Sequence, residues 1–168
     1  DAVQGSGTIE LTSSIALSDQ VTIDSGRTII LDMNGETLSI GFSDSSKNLI
    51  VNNGTLTITG DGTFDATEAT SYKGFINNYG TLTVENGTFQ IADKAMTVHL
   101  RNQDGGKAVI NGGTFSGGAT IVRSFEGSNT TITGGSFTNS VYPAVDVNGE
   151  TLITGGIFTN TSCSRCDS

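Results

Sequence analysis

Apolar and polar residues alternate along this chain in a short segment that recurs and closes each time on glycine and phenylalanine. The copy NGTLTITGDGTF at 53–64 returns as YGTLTVENGTF at 79–89, GGKAVINGGTF at 105–115, GSNTTITGGSF at 127–137 and NGETLITGGIF at 148–158. The closing phenylalanines lie 25, 26, 22 and 21 residues apart. Alternation with a period of two predicts short strands, and repetition at this spacing predicts coils that stack as a solenoid.

The repeat also predicts which side chains face the interior. In the threonine-rich strand, Leu56 and Ile58 alternate with threonines, so these aliphatic residues and their equivalents in other copies should point inward. We expect the closing phenylalanines to form one stacked interior column: Phe64, Phe89, Phe115, Phe137 and Phe158. A further strand precedes each threonine-rich strand, which predicts an all-β solenoid of about seven coils with three short strands per coil.

Three segments are expected along the chain. Residues 1–20 lack the glycine–phenylalanine closure and are expected to cap the solenoid, residues 21–160 to form it, and residues 161–168 to be a polar tail. Cys163 and Cys166 in this tail are a disulfide candidate, and an inert tail, a local disulfide and an intermolecular disulfide remain open. A zinc site has little support because no second pair of this spacing exists and the single histidine lies on a distant coil.

Composition and charge narrow the classes of partner. The chain has 23 glycines and one proline, as expected for many turns and short strands, and long helices are not expected. Its 17 acidic and 8 basic residues give a net charge of −9, which disfavours duplex nucleic acid and anionic membranes as partners. No apolar run approaches the length of a membrane span, so membrane insertion is not expected.

The segment LDMNGETL at 31–38, followed by NGTLTITGDGTF, resembles the repeats of pectate-lyase-like right-handed parallel β-helices. The repeat style is similar to that of bacterial secreted and cell-surface, adhesin-like proteins, and the resemblance covers roughly Val21 to Thr159. It implies a single right-handed parallel β-helix in an extracellular, cell-surface or virion-fibre setting. The family also contains phage tail spikes and fibres, adhesin stalks, and polysaccharide lyases and hydrolases, so it implies no single activity.

The residues that perform catalysis in such lyases and hydrolases are not matched here. The chain lacks NTD, DD, GHG and RIK motifs, and acids such as Asp61, Glu85 and Glu126 occur singly at turns. Paired carboxylates would have to face each other across the bond that is cleaved. We therefore predict no catalytic residue, no metal ligand and no cofactor, and a protein that is not an enzyme.

One charged group is the candidate binding site. Aligning the strands that precede the threonine-rich segments places Arg101, Arg123 and Asp146 in one outward column with Asn52 and Asn77, and places His99 on the same face. On this hypothesis His99, Arg101, Arg123 and Asp146 bind a carboxylate or sulfate of an extracellular glycan. The alternative is a surface ion pair, in which Arg123 and Asp146 neutralise each other across neighbouring strands.

Two other sets of polar residues follow the repeat. Asparagines at strand ends are expected to form a structural ladder of side-chain amides: Asn53, Asn78, Asn102 and Asn148. Outward threonine columns raise ice binding as a minor alternative, but they are interrupted, in one case as Thr57, Thr83, Val109, Thr131 and Leu152 and in the next as Thr59, Glu85, Asn111, Thr133 and Thr154.

The two ends of the predicted solenoid suggest how the protein interacts with other molecules. A solenoid exposes unpaired strand edges and apolar columns at its ends, and the segment after Phe158 has no apolar face to cover them. We therefore expect a non-catalytic structural or adhesive module of a surface fibre or filament, whose partners are copies of itself or adjoining modules. The alternative is a β-helix that binds or processes glycans, similar to polysaccharide lyases, hydrolases or phage tail spikes.

Overall fold

The computed structural model describes residues 5–42, 44, 46–68, 74–92, 97–139 and 142–160. Within these residues the regular elements are β-strands, and no helix occurs. The strands form three parallel sheets, which are the three sides of a β-solenoid of the right-handed type. The predicted fold class, an all-β parallel β-helix with three short strands per coil, is confirmed.

Each coil contributes one strand to each side. Side 1 consists of β1 (Gly7–Glu10), β4 (Thr28–Asp32), β7 (Thr55–Thr59), β10 (Thr81–Val84), β13 (Lys107–Ile110), β16 (Asn129–Ile132) and β19 (Glu150–Ile153). Side 2 consists of β2 (Ile15–Leu17), β5 (Thr37–Ile40), β8 (Thr63–Ala66), β11 (Thr88–Ile91), β14 (Thr114–Ser116), β17 (Ser136–Asn139) and β20 (Ile157–Asn160). Side 3 consists of β3 (Val21–Ile23), β6 (Asn48–Asn52), β9 (Gly74–Asn78), β12 (Val98–Asn102), β15 (Thr120–Ser124) and β18 (Val145–Val147). The described chain thus makes six complete coils and two strands of a seventh.

The predicted segment boundaries can be placed on these strands. The N-terminal segment 1–20 includes β1 and β2, which pair in register with β4 and β5 of the next coil. Among the described residues, regular strand structure therefore begins at Gly7. The tail 161–168, with Cys163 and Cys166, lies outside the described residues.

In the strands of side 1, inward and outward residues alternate. In β7, Leu56 and Ile58 are buried while the three threonines of the strand are partly exposed. The next strand repeats the pattern in register, so that Leu82 lies beside Leu56 and Val84 beside Ile58. Identical inward positions therefore meet on neighbouring strands, and the predicted aliphatic columns of the interior are confirmed.

The closing phenylalanines form the predicted stack on side 2. Successive ring centroids lie 4.6, 4.5, 5.0 and 4.7 Å apart and the rings are nearly parallel, in the order Phe64, Phe89, Phe115, Phe137 and Phe158. This spacing follows from the distance of about 4.8 Å between paired strands. In the first two coils the same column is continued by Leu38 and Ile15, so the aromatic stack begins only at the third coil.

The glycine before the closing Thr–Phe pair is required by the backbone. Gly113 has a φ of 99°, which residues with a side chain rarely adopt. A Cβ atom at this position would also lie 3.0 Å from the carbonyl oxygen of Gly87 in the preceding coil. Glycine therefore recurs at this position of the repeat because the turn passes close to the turn of the preceding coil.

An interior ladder of asparagines runs along side 3. The side-chain amide of Asn52 donates to Oδ1 of Asn78 at 2.7 Å, and that of Asn78 donates to Oδ1 of Asn102 at 2.8 Å. All three side chains are fully buried. The predicted ladder exists, but its first member is Asn52 rather than Asn53, and Asn148 is exposed in the turn after β18 instead of extending it. The prediction was wrong at these two positions because the inward residue is the last one of the strand rather than the first of the turn.

Candidate functional site

The charged column predicted on the outer face of side 3 is present. Strand register places Asn77 beside Arg101, Arg101 beside Arg123, and Arg123 beside Asp146. The column continues through Val51 to Thr22 in the preceding coils, and the prediction that Asn52 belongs to it is wrong, since Asn52 points into the core. Arg101, Arg123 and Asp146 are therefore brought together on consecutive coils.

His99 does not join them, and its predicted position on the outer face is wrong. It is 1% exposed and lies in an interior column with the equivalent residues of other coils, which are Leu49, Phe75 and Ile121. The following residue, Leu100, is buried as well. In β6, β9, β12 and β15, two consecutive inward residues break the period of two, so a residue two positions before an outward arginine does not share its face.

The core environment keeps His99 neutral. Its ring centroid lies 5.5 Å from that of Phe75 and 6.0 Å from that of Phe115. Nε2 lies 3.2 Å from the carbonyl oxygen of Gly117, and because a carbonyl only accepts, Nε2 must carry the proton. The buried Nδ1 has no hydrogen-bond partner. Burial lowers the pKa of His99 from 6.5 to about 4, against the smaller opposing effect of backbone hydrogen bonds.

The two arginines share an aromatic neighbour that sequence reasoning missed. The guanidinium carbons of Arg101 and Arg123 lie 5.3 and 5.6 Å from the ring centroid of Phe125. Phe125 follows β15 directly, in the turn two residues after Arg123. An aromatic residue in the turn beside an outward arginine was the available signal, since such pairs form cation–π contacts.

Arg123 also pairs with Asp146, as the ion-pair alternative predicted. Nε of Arg123 lies 2.8 Å from Oδ2 of Asp146. The same nitrogen makes no hydrogen bond of acceptable geometry, so the contact is an ion pair in which the N–H is not aligned with the carboxylate. Both side chains are partly exposed, and such a pair contributes about 0–1 kcal/mol to stability.

These side chains border a surface groove of about 390 Å³, which we call the arginine groove. Its lining includes Arg101, Thr120, Arg123, Tyr142, Pro143 and Asp146. Burial, followed by the neighbouring charge of Arg123, lowers the pKa of Arg101. Tyr142 and Pro143 lie just before β18 and line the groove, and the repeat pattern does not predict their contribution.

The two ends of the solenoid expose the interior columns. At the N-terminal end Ile9 and Ile15 are each 40% exposed, and at the C-terminal end Ile153 and Phe158 are 45% and 40% exposed. A cavity of about 330 Å³ opens among aliphatic side chains of the first coils, including Ile9 and Ile15. Side 3 ends at β18, so in the described residues the last coil consists of β19 and β20 alone.

The outward threonine columns are adjacent in register but irregular. Thr57, Thr83, Val109, Thr131 and Leu152 follow one another on side 1 as predicted. A more regular column, which the sequence analysis did not identify, lies on side 2 and comprises Thr37, Thr63, Thr88, Thr114 and Ser136. The neighbouring outward column on side 2 is mixed, with Ser39, Asp65, Gln90, Ser116 and Thr138. Ice binding, the minor alternative, is not tested by this geometry.

Within the described residues, no group of three or more histidine, cysteine, aspartate or glutamate side chains could hold a metal ion. No helix long and apolar enough to span a membrane was found in the same residues. Comparisons of the chain with family models, with curated proteins and with solved structures gave no match.

Proposed function

We propose that this chain is a non-catalytic structural module that stacks head to tail with further copies of itself, as a subunit of an extracellular fibre or filament. The observation that supports this proposal is that the same two interior columns are exposed at both ends. Ile9 and Ile153 terminate one column of side 1, and Ile15 and Phe158 terminate the phenylalanine column of side 2.

The strand edges favour head-to-tail contact over a symmetric one. In the described chain β1 and β2 are edge strands at one end and β19 and β20 at the other, and all run in the same direction along their sheets. A second copy placed by translation along the axis continues both sheets as parallel sheets, and unpaired backbone groups are a template for such pairing. A contact that repeats without closing produces a filament.

The side chains at the two ends fit this arrangement in register. Ile15 of the next copy would lie beside Phe158, and Ile9 of the next copy beside Ile153, as the columns already do between coils. The first coils carry aliphatic residues in place of phenylalanine and contain the open cavity of about 330 Å³. The exposed part of the Phe158 ring would be buried against this end. Because side 3 ends one coil earlier, we assign the contact to sides 1 and 2.

The experiment uses one blocking substitution at each end. Ile15→Lys places a charge at the N-terminal end and Ile153→Lys at the C-terminal end, whereas Ile30→Lys is a matched control, since Ile30 is equally exposed but lies on the side wall. Sedimentation velocity over a concentration series, with negative-stain microscopy, should show growing assemblies for wild type and Ile30→Lys and monomers for each end variant.

Mixing the two end variants tests the polarity of the contact. Each variant keeps one intact end, so a mixture of Ile15→Lys and Ile153→Lys should form dimers and no larger species. Wild-type protein that stays a monodisperse monomer at the highest attainable concentration would refute the proposal. Assembly that survives both end substitutions would refute the assignment of the ends.

A further inference from the structure

The arginine groove on side 3 has no part in the stacking proposal, because it lies on the side wall of the solenoid. It gathers positive charge on a chain whose net charge is −9. Arg101 and Arg123 occupy paired positions of adjacent strands, and the only carboxylate on the outward column beside them is that of Asp146, within the described residues. The three side chains therefore carry a net charge of about +1 at neutral pH.

The surroundings hold both guanidinium groups in place against their mutual repulsion. Each lies over the ring of Phe125, at 5.3 and 5.6 Å, and a planar guanidinium retains its hydrogen-bond donors when it stacks on an aromatic face. Asp146 contacts Arg123 at 2.8 Å. An anion that bridges the two arginines would relieve their repulsion, and guanidinium groups bind oxyanions through paired N–H donors.

We propose that the arginine groove binds an oxyanion, a carboxylate or a sulfate, carried by a small ligand with a ring. Its volume of about 390 Å³ lies within the range of ligand sites and suits a ligand of limited size. Tyr142 and Pro143 supply an apolar wall against which a ring can pack, and Thr120 supplies a hydroxyl group. Asp146 opposes the ligand by its own charge and so limits its affinity.

The test uses three probes that share a sugar ring: glucuronate, glucose 6-sulfate and uncharged glucose. Binding is measured at constant ionic strength by titrating the arginine Nε–Hε resonances of labelled protein. The Ile153→Lys background is used, so that failure of the stacking proposal does not affect the result. We expect glucuronate or glucose 6-sulfate, or both, to bind in the millimolar range or tighter and glucose not to bind, and the two charged probes distinguish carboxylate from sulfate.

Substitutions assign the binding to the groove. Arg101→Gln and Arg123→Gln should each weaken binding by about 10- to 100-fold, as expected for the loss of a charged hydrogen bond. The control Lys107→Gln makes the same charge change on exposed side 1 and should leave binding unchanged. Asp146→Asn should tighten binding. The proposal is overturned if neither charged probe binds, if both arginine variants bind as well as the Lys107→Gln protein, or if Asp146→Asn weakens binding.

Discussion

His99 should make the stability of this solenoid depend on pH in a way that one substitution removes. The imidazole is buried between phenylalanine rings, and its folded-state pKa is lowered to about 4 from 6.5. As the pH falls below 6.5, the unfolded chain takes up a proton that the folded core does not accept. Stability is therefore fully present above pH 6.5 and is progressively lost as the pH approaches 4, below which the loss is complete.

The size of the effect follows from the gap between the two pKa values. It corresponds to roughly 3 kcal/mol in the free energy of unfolding between pH 7 and pH 4. His99→Leu is the informative variant, because Leu49 and Ile121 occupy the same interior column in other coils. Carboxylates titrate in both proteins over this range, so the difference between the wild-type and His99→Leu curves isolates the histidine.

The assay is urea denaturation from pH 7 to pH 4, carried out for both proteins in the monomeric Ile153→Lys background. We expect wild type to lose about 3 kcal/mol relative to His99→Leu on acidification. The chain has a single histidine, so its imidazole resonances can also be titrated without ambiguity. Parallel pH profiles of the two proteins, or a measured pKa above 6, would refute the placement of a neutral His99 in the core.

Two further predictions test the interior columns by chemical denaturation. Phe115→Ala should lower the free energy of unfolding by about 3–5 kcal/mol, because its ring is buried between two stacked neighbours. Phe158→Ala should lower it by less than about 2 kcal/mol, because its ring is partly exposed. Equal losses in the two variants would show that the stack does not extend as described. Asn78→Ala should lower the free energy of unfolding by at least about 2 kcal/mol, since it leaves buried amide groups of the ladder unpaired. The exposed control Asn53→Ala should stay within about 0.5 kcal/mol of wild type. Similar stabilities of the two variants would contradict the ladder.

Sides 1 and 2 could be predicted from sequence because their strands obey uninterrupted alternation. Each copy of the repeat repeats both the pattern and the closing phenylalanine, so Leu56, Ile58 and Phe64 mark the interior without further information. The paired positions then follow from stacking copies one strand apart. The alternation within each strand and the pairing between strands identify the same inward positions, because the pattern of inward and outward positions recurs from coil to coil.

Side 3 could be predicted only in part because its strands do not alternate. His99 and Leu100 both face the core, and a buried asparagine, Asn102, ends the strand. The assumption of strict alternation therefore places His99 on the outward face with Arg101, and the choice of the turn asparagine shifts the first member of the ladder by one residue. Arg101 and Arg123 were still placed correctly beside each other, because that placement depends on the register between copies and not on the period within a strand.

The change from aliphatic to aromatic residues along one column gives the two ends of the solenoid different shapes. From Phe64 onward each coil fills the interior of side 2 with a ring, and the stack leaves Phe158 exposed at the C-terminal end. Before Phe64 the column carries Leu38 and Ile15, and the smaller side chains leave the open cavity at the N-terminal end. One end therefore offers aromatic surface and the other offers space lined by aliphatic groups. Two identical ends would favour contacts of each end with itself, whereas this difference favours contact of one end with the other, which is the polarity that a filament of parallel coils requires.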